Sequence, residues 1–155
     1  MNSHLTQKES QMLRDQLNHE KICIDKYRGY AQRAQDPQLQ QLFNQYATEE
    51  QQHYDTITQL LQGQTVSMSA SQSSQYGRQY GNQQWESGSA SQDDAPLLTD
   101  MLMTEKFVSS AYDTAIFESA NTNVRQALQH IQDDEQQHGE GIYSYMSQNG
   151  MYQTQ

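Results

Sequence analysis

Glu50-Gln51-Gln52-His53 and Glu135-Gln136-Gln137-His138 are the same motif, set 85 positions apart, and Glu20 recurs at that offset as Glu105. A Glu plus a Glu-x-x-His from each half of a chain is a ligand set for two metal ions held between four helices. The spacing supports this, because residues i and i+3 project from one face of a helix. Four buried carboxylates without partners would cost several kcal/mol each. Two divalent ions would cancel their charge, and two neutral imidazoles would complete the ligand shell. Oxygen-rich ligation with two imidazoles suits iron or manganese and admits zinc. One Glu-x-x-His in a Gln- and Glu-rich helix carries little weight, and a lone Glu on a helix is usually solvated. The doubling of the motif, and its placement among core residues, single these six out.

The elements that must position them are helical. Thr6-x-x-Glu9 reads as a capping box that opens a first helix. Leu13, Leu17, Glu20, Ile24, Tyr27 and Ala31 follow at spacings of a helical stripe. Asp36-Pro37 ends that helix and starts the next, Asp36 as N-cap and Pro37 at the first helical position. The second stripe is Leu39, Phe43, Tyr46, Glu50, His53, Ile57 and Leu60, and Gly63 closes it. The second half repeats this plan. Leu98, Leu102, Glu105, Ser109, Tyr112 and Ile116 form a third stripe, and Asn121 takes the cap position of Asp36. Val124, Leu128, Ile131, Glu135, His138, Ile142 and Tyr145 form the fourth, with Asn149-Gly150 as its stop. In each motif the Glu and the His stand where the stripe calls for apolar residues.

The reading is therefore one all-α domain of four helices built from two antiparallel hairpins, 6–62 and 96–149, joined by a polar crossover, 63–95. The crossover is rich in Gln, Ser and Gly and shows no helical or strand period, so it is expected to be flexible or loosely packed. It is not a linker between two domains, since each hairpin alone has too little core to fold. Glu20 lies about fifteen residues before the first turn and Glu50 about fourteen after it, which sets them at nearly equal height. Glu105 and Glu135 stand in the same relation to the second turn. If the turns lie at opposite ends of the bundle, both sets meet at mid-height and the second and third helices run parallel. The chain must then travel the length of the bundle between them, roughly 38 Å for a helix of about 25 residues.

Composition narrows the partners. The chain has 155 residues, 34% of them hydrophobic, and a net charge of −10, which argues against nucleic acid and anionic membrane surfaces as partners. No apolar run is long enough to span a membrane. The N-terminal residues carry no hydrophobic signal core, so synthesis in the cytoplasm without a signal peptide is expected. Cys23 stands alone and is read as a small packing residue, since no intrachain disulfide can form. Tyr27 and Tyr112, two turns beyond Glu20 and Glu105, are read as core residues with a buried hydroxyl rather than redox participants. His4, His19 and His130 have no counterpart at the repeat offset and receive no role.

Two resemblances rest on these residues. Glu20 with Tyr27, then Glu50-x-x-His53, and their repeats resemble the ferritin-like superfamily, especially rubrerythrin-type di-iron proteins. That resemblance implies a ferritin-like four-helix bundle. It also implies that Asp134 hydrogen-bonds His53, and Glu49 His138, as outer partners of the site. With a single cysteine, the four-cysteine iron site that rubrerythrins often add is not expected here, and neither is the fifth helix of ferritin cages. The closer resemblance is to the spore coat protein F-like (Coat F domain) family. It rests on Leu98-Thr-Asp-Met-Leu-Met-Thr-Glu-Lys106, Tyr112-Asp-Thr-Ala-Ile116, Ala120-Asn-Thr-Asn-Val-Arg125 and Tyr145-Met-Ser-Gln-Asn-Gly-Met-Tyr152. It implies a location in the spore coat, with other coat proteins or further copies of the chain as partners.

Two functions fit. One is a coat-associated di-metal protein, an oxidoreductase whose iron or manganese reacts with peroxide or oxygen and protects the spore. The other is a structural coat protein in which any metal only stabilises the bundle. The abundance of Gln and Tyr would also suit cross-linking into an insoluble layer.

Overall fold

A computed structural model describes residues 4–67, 85 and 88–152. Among the described residues four helices follow one another: α1 (Gln7–Arg33), α2 (Pro37–Leu61), α3 (Ala95–Glu118) and α4 (Thr122–Gln148). A short 3-10 turn, Gln92–Asp94, leads into α3, and no strand occurs among the described residues.

The helix ends follow from local chemistry. The Thr6 hydroxyl accepts from the Glu9 N–H at 3.0 Å, and the Glu9 carboxylate accepts from the Thr6 N–H at 2.9 Å. Asp36 caps α2 through the Gln38 N–H, and Asn121 caps α4 through the Val124 N–H. Gly63 and Gly150 follow α2 and α4 with φ of 77° and 68°. That left-handed backbone is one that glycine adopts without strain.

Side-chain contacts fix the helix directions. Lys26 of α1 meets Asp100 of α3 at 3.0 Å, Tyr27 donates to Glu105 at 2.6 Å, Tyr112 donates to Glu20, and Lys8 pairs with Glu118. Rising numbers on α1 meet falling numbers on α3, so these two run antiparallel. Asp36 to Tyr145 and His53 to Asp134 give the same relation for α2 and α4. Since α1 and α2 form a hairpin, α2 and α3 are parallel.

Two apolar clusters fill the interior. One contains Tyr27, Leu39, Phe43, Leu98, Met101, Ile142 and Tyr145. The other contains Leu13, Ile57, Tyr112, Ile116, Leu128 and Ile131. The repeated Glu and His residues of α2, α3 and α4 lie between them, and on α1 Glu20 lies within the second cluster, between Leu13 and Cys23. The stripes agree with the sequence reading except at two positions. Leu17 and Ser109 are half-buried, while Gln16, Cys23 and Val108 are buried. A helix that touches two neighbours buries a band wider than a single stripe. The first and last parts of the 63–95 crossover are ordered against the bundle: Val66 exchanges hydrogen bonds with Asn123, and Trp85 packs edge-on against Tyr145. The expectation for the residues between them concerns 68–84 and 86–87, which lie outside the described residues.

The two hairpins also lock each other's turns. Asp94 accepts from the backbone N–H groups of Gln35 and Asp36, at 3.0 and 3.1 Å. Glu9 accepts from the N–H of Asn121 at 2.9 Å. Glu9 and Asp94 are 85 positions apart, as are Asp36 and Asn121, so this is one interaction made twice. Burial raises the Glu9 carboxyl, but the N–H groups of Thr6 and Asn121 outweigh it and hold the group below its usual range. Replacing Glu9 by Ala is expected to cost about 1–3 kcal/mol, since hydrogen bonds to a buried carboxylate are lost. A lowered folded pKa means that this contribution is present above the unfolded value and is lost as pH falls through the folded one. Urea unfolding should therefore separate wild type from Glu9→Ala at about pH 7 and bring them together only as pH falls below the ordinary carboxylate range. Equal stability at neutral pH would remove the lock.

Candidate metal centre

Each helix delivers its part of the site from mid-length. α1 carries Glu20, α2 carries Glu50 and His53, α3 carries Glu105, and α4 carries Glu135 and His138. All six are brought together, and none is more than 3% exposed. They form two overlapping groups, Glu20, Glu50, His53 and Glu135, and Glu50, Glu105, Glu135 and His138. In each group one donor atom per residue lies within 4.8 Å of all the others. Glu50 and Glu135 belong to both, as bridging carboxylates would.

Both imidazoles turn Nδ1 inward. His53 Nδ1 lies 2.9 Å from Glu135, 3.5 Å from Glu50 and 3.7 Å from Glu20. His138 Nδ1 lies 2.9 Å from Glu50 and 3.5 Å from Glu105. Despite these short distances, neither Nδ1 makes an aligned hydrogen bond, nor does either oxygen of Glu50 or Glu135. Buried polar atoms normally pair, so these gathered donors are left without the partner their burial calls for. The donor set fits two cations on that observation.

The outer contacts cross between the halves. His53 Nε2 is held by Asp134 at 2.8 Å as expected, whereas His138 Nε2 stands 3.6 Å from Glu49 and makes no hydrogen bond to it, so the second expected outer bond is not formed. Tyr27 donates to Glu105 and Tyr112 donates to Glu20, each reaching the carboxylate of the other hairpin. The buried hydroxyls expected of these tyrosines thus have specific acceptors. Two contacts have no counterpart in the sequence reading. Tyr46 stacks on His138 with ring centroids 4.1 Å apart, and His130 Nε2 stands 3.8 Å from Asp134. The offset gives no signal for Tyr46, because its repeat position is Ile131. Cys23 is fully buried beside the site, where burial and the surrounding carboxylates push its thiol far up. It is the inert packing residue expected.

Crowding four carboxyls in this core separates their protonation. Burial and the charge of Glu50 push Glu20 well up. Burial and the charges of Glu105, Glu50 and Glu20 do the same to Glu135. Burial also acts on Glu50, but the His138 and His53 imidazoles beside it prevail and hold it well below the usual carboxylate range. Burial works against charge on the imidazoles, yet their carboxylate neighbours raise both His53 and His138.

The fold and this cluster define an all-helical protein with a buried carboxylate–imidazole centre. The family model described as the Coat F domain matches residues 8–64 and 93–155, and the chain belongs to that family. Membership indicates a spore coat protein, one that associates with the coat. No curated protein and no solved structure matches the chain. Among the described residues no helix is long and apolar enough to cross a membrane.

Proposed function

We propose that the chain is a ferritin-like coat protein that holds two metal ions, iron or manganese, between Glu20, Glu50, His53, Glu105, Glu135 and His138. The observation that carries this reading is the convergence of unpaired buried donor atoms on two adjoining points. When bound, such a pair supplies electron transfer to peroxide or oxygen, which would protect the spore from oxidants. Asp134 fixes the His53 tautomer, with the proton on Nε2 and Nδ1 free to ligate. Tyr27 and Tyr112 hold Glu105 and Glu20 in place across the bundle.

The near-complete burial of all six side chains favours a second reading, in which the ions only neutralise the core of a structural protein. Optical and EPR spectra of the iron-loaded protein, recorded before and after peroxide, decide between them. Conversion of both ions to the oxidised state supports the redox reading. Bound iron whose spectra do not change leaves the structural one.

Asp134→Ala is expected to weaken metal binding by about 10–100-fold without abolishing it, as losses of outer partners do. A metal titration checks this, and an unchanged midpoint would deny Asp134 its part.

A further inference from the structure

The two hairpins are alike in sequence but not in the face that each presents to solvent. Along α3 and α4 runs a groove of about 850 Å³, lined by Ser109, Asp113, Gly139, Glu140 and, at its floor, Glu105 and Glu135. The equivalent face of α1 and α2 has only a pocket of about 140 Å³, lined by Lys21, Ile24, Asp25, Arg28, Gln51 and Tyr54. Subtracting the repeat offset of 85 pairs the two linings: Ser109 with Ile24, Gly139 with Tyr54, and Asp113 with Arg28. On one face a branched aliphatic and a phenol ring cover the centre. On the other a hydroxymethyl group and a hydrogen atom give it a thinner cover, though Glu105 and Glu135 beneath remain buried.

Gly139 is the sharper signal, because glycine within a helix lowers helix stability relative to alanine. The bundle does not need it for packing. A Cβ built there would meet only Leu102 Cδ1, at an ordinary 3.9 Å. The charge also changes with the face. Arg28 on the closed side becomes Asp113 on the open side, and Glu140 joins it on the groove wall, so two carboxylates there face one ammonium, that of Lys106, whose counterpart Lys21 lines the closed side. An acidic cleft leading to buried carboxylates draws in cations.

Resting on the metal reading above, we propose that the α3/α4 groove is the way by which a divalent cation reaches the centre. Ser109 and Gly139 keep it open, and Asp113 and Glu140 draw the cation in. Glu105 and Glu135 are then the first ligands it meets, and Glu20 on the closed side the last.

The test is the rate of Co²⁺ loading, followed anaerobically by its optical absorption in stopped flow. Ser109→Cys is folded first and then alkylated with a maleimide, so that blocking the groove cannot impair folding. Cys23 is fully buried and does not compete for the reagent. Alkylation is expected to slow loading roughly tenfold or more, while the number of ions bound at equilibrium stays the same. Asp113→Asn with Glu140→Gln is expected to slow loading by about tenfold at low salt, with the gap closing as salt screens the field. Gly139→Tyr should slow it as alkylation does, and Tyr54→Gly with Ile24→Ser in that background should restore the rate. Loading of the alkylated protein as fast as the unmodified one would overturn this route and leave the metal centre standing. A wild-type protein that takes up no Co²⁺ and no other divalent ion would overturn both.

Discussion

Glu50→Gln and Glu135→Gln are each expected to abolish binding of the metal pair, whereas Glu20→Gln and Glu105→Gln leave one ion bound. The asymmetry comes from geometry. Glu50 and Glu135 are common to both donor groups, while Glu20 belongs to one and Glu105 to the other. Losing a carboxylate common to both groups would remove a ligand from both proposed ions and one of the negative charges that would hold them together. Losing a terminal one spoils a single position. Elemental analysis of protein dialysed against limiting metal gives the count. An equal loss in all four variants would mean that Glu50 and Glu135 do not bridge.

Metal removal is expected to destabilise the fold strongly at neutral pH and less in mild acid. An ion held at about 1,000 times its dissociation constant stabilises the native state by about 4 kcal/mol. For a chain of this size each kcal/mol moves the melting temperature by about 2–4 °C, so removing two ions should lower it by on the order of 20 °C. The pH trend follows from the raised groups. His53 and His138 contribute stability that is full below their unfolded pKa and is lost as pH rises through the folded value. Glu20 and Glu135 also bind protons more readily folded than unfolded, so they act in the same direction. The lowered Glu50 and Asp134 oppose this only near the ordinary carboxylate range, around pH 4. The metal-free protein should therefore gain stability between about pH 8 and 5, while the loaded protein loses it as acid competes for the ligands. Melting curves of the two forms should converge. Parallel curves with no gap would take the stabilising metal out of the account.

The sequence shows the site more plainly than its surroundings. The six central residues are legible because the motif is doubled, and a stripe position filled by Glu or His stands out against apolar neighbours. The contact of Asp134 with His53 follows from resemblance rather than from spacing, since the partner lies on another helix. The turn locks made by Glu9 and Asp94 are hidden for a different reason. Glu9 already has a local explanation in its capping box, and Asp94 sits at the end of an aperiodic polar stretch. Their shared offset becomes meaningful only once α1 and α3 are known to run antiparallel. Tyr46 over His138 has no echo in the repeat. Ser109 opposite Ile24, and Gly139 opposite Tyr54, are visible as broken positions of the repeat. That they flank one groove requires the helix neighbours.

The most direct test of the central claim is a Mn²⁺ titration of metal-free protein followed by EPR. Two ions that shared Glu50 and Glu135 would be close enough to couple magnetically. The signal of an isolated ion should therefore give way to a spin-coupled spectrum as the second equivalent binds, and uptake should stop at two ions per chain. An isolated-ion signal that only grows in proportion to added metal, or no tight uptake at all, would contradict the di-metal centre.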